Sequence, residues 1–146
     1  MTEINYTKAA LISASGAAGM IFARIFGTWN DEVLSLILLM MIDFITALIL
    51  AAFFCKSTKS KTGGLSSKAC MQGIGKKVAG ILLVAAAYRS EQLLGVDYLR
   101  TAVIWGLCAA EILSILENAG RMGVLPKSVQ KIFERIIDTL NGKNKE

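Results

Sequence analysis

The stretch Val33–Phe54, VLSLILLMMIDFITALILAAFF, is 22 residues of nearly unbroken apolar sequence with one ionisable side chain, Asp43, at its midpoint. As a helix it is about 33 Å long at ~1.5 Å per residue, the thickness of a bilayer's hydrocarbon core. Such a segment places the chain in a membrane. A carboxylate at mid-depth costs on the order of 2.5–3.5 kcal/mol on insertion scales, so a span that only anchored the chain would tend to lose it. Asp43 is therefore the first functional candidate. Thr46 and Ala47 lie one turn further on and extend a narrow polar and small stripe from it. That stripe should face protein or water.

With 54% hydrophobic residues and a single proline in 146 positions, the chain is too apolar for an ordinary soluble domain. The start, MTEINYTK, sets Glu3 before Lys8 and has no basic region leading into a short apolar core and cleavage site. A cleaved signal peptide is not expected, and the first hydrophobic segment should remain. The absence of histidine removes the usual general base and the commonest zinc ligand. Cys55, Cys70 and Cys108 are far apart and odd in number, which suits free thiols better than a metal knuckle or a disulfide framework. No cofactor is expected. No Gly-x-x-x-x-Gly-Lys-[Ser/Thr] frame supports nucleotide binding either.

The net charge of +5 does not point to nucleic acid. Lys56, Lys59, Lys61, Lys68, Lys76 and Lys77 gather beside the span without interleaved aromatics. They are read as determinants of topology and contacts for anionic lipid. The connector that carries them, 55–77, holds no acidic residue and belongs in the cytoplasm by the positive-inside rule, and within it Ser66 or Ser67 is read as the cap of a short helix running toward Lys77.

Three further hydrophobic segments surround this core. Segment one, about Thr7 to Trp29, has small residues at four-residue spacing, Ala10, Ala14 and Ala18 on one face and Gly19, Ala23 and Gly27 on another. Such faces favour close helix association in membranes. Arg24 can snorkel toward the interface near Trp29. The acidic turn Gly27–Glu32 supplies Asn30 or Asp31 as a cap for the second helix. Segment three, about Ile74 to Leu94, is apolar from Val78 to Tyr88 and then carries Arg89 and Glu91. Segment four, about Tyr98 to Leu116, carries Glu111 and Ser114 on one face. Gly120–Gly123 then breaks the pattern. From Pro126 to about Leu140 an amphipathic helix sets Val129, Ile132, Phe133, Ile136, Ile137 and Leu140 against Lys131, Glu134, Arg135 and Asp138.

The expected fold is an all-α integral membrane protein of about four transmembrane helices, three if segment one lies in the interface, plus a C-terminal amphipathic helix. The membrane domain spans 1–124 and contains the connector 55–77. The helix and its polar tail occupy 125–146, on the cytoplasmic side. Four spans put the N terminus in the cytoplasm as well, and four spans are preferred. So small a chain encloses a transport path only by self-association.

Local motifs narrow the class. D-F-I-T-A-L-I-L-A-A from Asp43, G-L-S-S-K from Gly64 with G-I-G-K-K from Gly73, and E-I-L-S-I-L-E-N from Glu111 with G-V-L-P-K from Gly123 occur in the order and spacing of the toxin-secretion and phage-lysis holin family, which this chain resembles from about Asp43 to Lys127. Ala47 stands where that family commonly has glycine. The resemblance implies a multi-pass protein of the bacterial cytoplasmic membrane that catalyses no reaction. It accumulates, self-associates and opens lesions that release a cell-wall hydrolase (endolysin) or a toxin. Carried over residue by residue, Asp43 and Thr46 match the intramembrane motif and Ser66, Ser67 and Lys68 the basic connector. Glu111, Ser114, Glu117 and Asn118 match the fourth-span motif. Asp43, Thr46, Glu111 and Ser114 are the pore or oligomerisation candidates, whereas a helix-ending role suits Glu117 and Asn118 equally well. Partners are further copies, membrane lipids, the coupled endolysin or toxin, and an antiholin. The alternatives are a small oligomeric transporter or channel, and an antiholin that delays a partner holin.

Overall fold

Helix caps and apolar runs divide the chain into four long helices. The computed structural model describes residues 6–27, 30–60 and 62–126, and beyond them only 128, 129, 131, 132, 135 and 139. The expectations for Trp29, for Lys61 and for most of the amphipathic helix and tail over 125–146 lie outside the described residues. Helix α1 covers Tyr6–Phe26, α2 Asp31–Phe53, α3 Ser67–Leu94 and α4 Leu99–Met122, and each is long and apolar enough to cross a membrane. The described residues contain no strand.

Asn30 opens α2, its side-chain oxygen accepting the Val33 N–H at 3.3 Å, with Asp31 and Glu32 in the first turn where the helix dipole favours anions. Ser66 opens α3 by accepting the Ala69 N–H at 3.4 Å. This cap sits well ahead of Ile74, so the lysine-rich connector expected over 55–77 gives way to helix at Ser67. The short helix expected from a Ser66 or Ser67 cap and the apolar segment expected from Ile74 are thus one continuous helix, whose first turns are polar and basic. Gly123, at φ 77°, ends α4 in the left-handed conformation that glycine adopts without strain.

The turn between α3 and α4 is closed largely by one residue. The main-chain carbonyl of Glu91 accepts the N–H groups of Gly95 at 2.9 Å and Val96 at 3.3 Å, ending α3. Its buried carboxylate accepts the Arg100 N–H at 2.8 Å, satisfying a donor in the first turn of α4.

α2 and α3 both pack on α4, while α1 packs on α3. The buried face of α2 runs Val33, Leu36, Met40, Asp43 and Leu50, the three- and four-residue spacing of one helix stripe. Gly80, Val84 and Glu91 mark the facing stripe of α3, and Ile104 and Asn118 that of α4. Lipid tails provide no hydrophobic drive between helices, so this seam is held by close packing and by polar contacts. Its apolar part joins Val33, Leu36, Met40, Val84 and Ile104, flanked by Ile37, Ile81, Val103, Leu107 and Cys108. Gly80 brings α3 close here, since a Cβ at that position would lie 3.2 Å from the Met40 methyl.

α1 buries none of its residues. Ala10, Ala14, Ala18, Gly19 and Ala23 are exposed, so the small-residue faces expected to mediate helix association are uncovered in the protomer except at Gly27. At its far end Gly27, φ 78°, lies against Tyr88, whose ring would be 2.9 Å from an added Cβ.

Candidate functional site

Midway along the seam each of the three packed helices offers a polar residue at a position where its stripe calls for an apolar one. Asp43 follows Met40 on α2. Lys77 precedes Gly80 on α3, and Glu111, Ser114 and Asn118 continue the α4 stripe from Ile104 and Leu107 at spacings of three and four. The Lys77 ammonium lies 2.8 Å from Asp43 Oδ2 and 2.5 Å from Glu111 Oε2, so one cation bridges two carboxylates and ties all three helices together. The side chains are 17% exposed for Lys77, 8% for Asp43 and 14% for Glu111, which makes this a largely buried cluster.

Asn118 supports it from the connector side. Its Nδ2 donates to Asp43 Oδ1 and to Thr46 Oγ1, each at 3.2 Å, and the Thr46 hydroxyl donates to the Asp43 main-chain carbonyl at 2.9 Å. Both Asp43 carboxylate oxygens are thereby partnered. Buried charge survives only under such conditions, because an unpaired carboxylate loses its hydration and gains nothing in return.

A cavity of about 460 Å³ adjoins the cluster. Asp43, Lys76, Lys77, Glu111 and Ser114 lie on its wall, apolar side chains such as Phe44 and Leu107 fill in between, and Ser57, Lys59 and Ser66 line it near the connector.

Of the sequence candidates, Asp43, Thr46 and Glu111 meet directly or through Lys77, and Ser114 faces the same cavity. Lys77, expected among the headgroup lysines, is instead part of the buried cluster. Asn118, expected as a helix terminator at least as much as a motif residue, sits inside α4 with 7% exposure. The signal for it was present in the polar series Glu111, Ser114, Asn118, which repeats at helical spacing. Glu117 stays outside the cluster and pairs along the helix with Arg121 at 2.7 Å. Ser66 caps α3, and Ser67 and Lys68 are exposed in its first turn. Lys56 donates to the Arg121 carbonyl at 3.5 Å, and Lys59 and Lys76 border the cavity.

The model described as the bacteriophage holin family matches residues 20–141. An uncharacterized protein of Listeria monocytogenes is 36% identical over 129 residues, covering 88% of this chain and 86% of its own length. An uncharacterized 14.9 kDa protein from the nagH 3' region of Clostridium perfringens is 29% identical over 136 residues, with 91% and 94% covered. An uncharacterized protein of Halalkalibacterium halodurans is 32% identical over 124 residues, with 81% and 84% covered. No solved structure matches.

Proposed function

The chain belongs to the bacteriophage holin family, and from that premise we propose that it acts as a holin in a bacterial cytoplasmic membrane. It accumulates there, self-associates, and opens lesions through which an endolysin or a toxin leaves the cell. The observation that carries this reading is the cluster of Asp43, Lys77, Glu111 and Asn118 in the helix seam. Inside a protomer the charges pair with one another and are turned away from lipid, so scattered copies leave the membrane sealed. When copies assemble and the seam opens through to water on both sides, fuller hydration replaces those internal partners. The same residues then line an aqueous edge at far lower cost than they would meet in hydrocarbon.

Two features support self-association. α1 leaves its small-residue faces uncovered, and four helices are too few to surround a path wide enough for a folded protein. Orientation follows from charge: the lysines around the α2–α3 connector put it and the C-terminal segment in the cytoplasm and the acidic 27–32 turn outside. The cavity beside the cluster favours one competing reading, a small-solute or ion channel. The two differ in what passes.

Inducible expression together with a cytoplasmic cell-wall hydrolase that lacks an export signal tests the proposal. Abrupt, delayed lysis that requires both proteins is the expected result, with an altered onset for Asp43→Asn at equal membrane accumulation. Slow growth inhibition with the hydrolase retained inside would transfer the assignment to a channel, a transporter or an antiholin.

A further inference from the structure

We propose that each protomer carries a preformed aqueous half-channel, in which water from the connector side fills the cavity as far as Asp43, Lys77 and Glu111 while the apolar seam beyond them stays closed. The cytoplasmic direction of its mouth rests on the orientation given under the proposed function; the half-channel itself rests on geometry.

The cavity wall is graded. Ser57, Lys59 and Ser66 line it near the connector, and Asp43, Lys77, Glu111 and Ser114 lie at the depth of the cluster. A cavity of about 460 Å³ has room for several waters, and the charged and hydroxyl groups set into its otherwise largely apolar wall give them partners. The deep end also requires a donor. Two carboxylates share one ammonium, and while Asn118 serves the second oxygen of Asp43, Glu111 Oε1 accepts no hydrogen bond among the described residues. A carboxylate oxygen beside a cavity of this size is satisfied by water and not by an acyl chain.

On the other side of the cluster the route ends. Leu36 is 2% and Ile104 0% exposed, and with Val33, Met40 and Val84 they form an apolar layer between the cluster and the Glu32–Thr101 contact at the acidic-turn end. A charged group in the middle of the membrane is thus in contact with one aqueous compartment and insulated from the other. Lesion opening then needs only the apolar half of the seam to part, because the polar half is already solvated.

Thiol labelling of the full chain in sealed membrane vesicles tests this, using the membrane-impermeant anion methanethiosulfonate ethylsulfonate. Vesicles are used before lesions open, as judged by retention of a trapped small dye. Cys70 lines the cavity and serves as one reporter in a Cys55→Ser, Cys108→Ala chain. Ser114→Cys, in a chain whose three native cysteines are replaced, reports at the depth of the cluster. Ile45→Cys in the same cysteine-free chain is the control, since Ile45 is half exposed on the outer surface of α2 near the depth of Asp43. Reaction requires an ionised, water-accessible thiol, so in inside-out vesicles Cys70 and Ser114→Cys should react at least about tenfold faster than Ile45→Cys, and none should react in right-side-out vesicles. Equal, slow labelling of Ser114→Cys and Ile45→Cys would overturn the half-channel and show a closed or lipid-filled cavity, with the holin assignment intact. Labelling from the right-side-out face alone would overturn the orientation. A protein that labels as expected yet fails to release the hydrolase would instead overturn the proposed function and leave the half-channel standing.

Discussion

The two halves of the helix seam use the same three helix faces and are held together in opposite ways. Toward the acidic turn, Val33, Leu36, Met40, Val84 and Ile104 interlock by shape. Toward the connector, those faces continue as Asp43, Lys77, Glu111, Ser114 and Asn118 beside a cavity. In lipid the first half draws its cohesion from dispersion, which declines gradually as atoms are removed. The second depends on complete pairing, and the loss of one partner strands the others. One half therefore insulates and tolerates small changes of volume, while the other stores charge and tolerates little change of chemistry.

The sharpest way to break this contrast is Lys77→Met. It leaves Asp43 and Glu111 without their shared cation, and the expected loss is about 3–5 kcal/mol, read from chemical unfolding of the purified protein in mild detergent. Adding Asp43→Asn and Glu111→Gln should restore much of it, because the stranded charges are then gone. A loss under about 1 kcal/mol for Lys77→Met would mean that pairing does not hold the polar half. Ile104→Ala probes the insulating half, where removing a fully buried side chain should cost about 2–4 kcal/mol in the same assay, with no rescue from neutralising the carboxylates. The smallest expected effect is that of Ser66→Ala, about 1 kcal/mol, through loss of the α3 cap. It should fray the start of α3, seen as faster amide exchange there, and leave both halves of the seam unchanged.

The insulating half was only coarsely legible in the sequence. A run as uniformly greasy as Val33–Phe54 announces a span but not which side faces protein, since lipid and core select the same residue types. Only Asp43 broke that degeneracy, because a carboxylate must turn away from lipid. The polar half was legible residue by residue and obscure as a set. Glu111 and Ser114 stood out against apolar neighbours. Lys77 was masked by Lys76 and the basic stretch before it, so charge counting assigned it to the headgroups although it falls on the Gly80–Val84 face of α3. Asn118 stood where the apolar run stops, and its position seven residues beyond Glu111 on the same stripe was the available clue. The cavity could not be read at all, because it depends on how far apart small residues on α2 and α3 are held by their packing on α4.

Glu91 has a mechanical consequence for both halves. Its carbonyl ends α3 and its carboxylate begins α4, so the two helices meet at a joint clamped from both sides by a single residue. A twist of α3 about its own axis cannot dissipate in a slack loop and must drag the start of α4 with it. α3 carries the bridging lysine and α4 one of the carboxylates it holds, so the hairpin behaves as a lever with its fulcrum at the α3–α4 turn and its working end at the charged cluster.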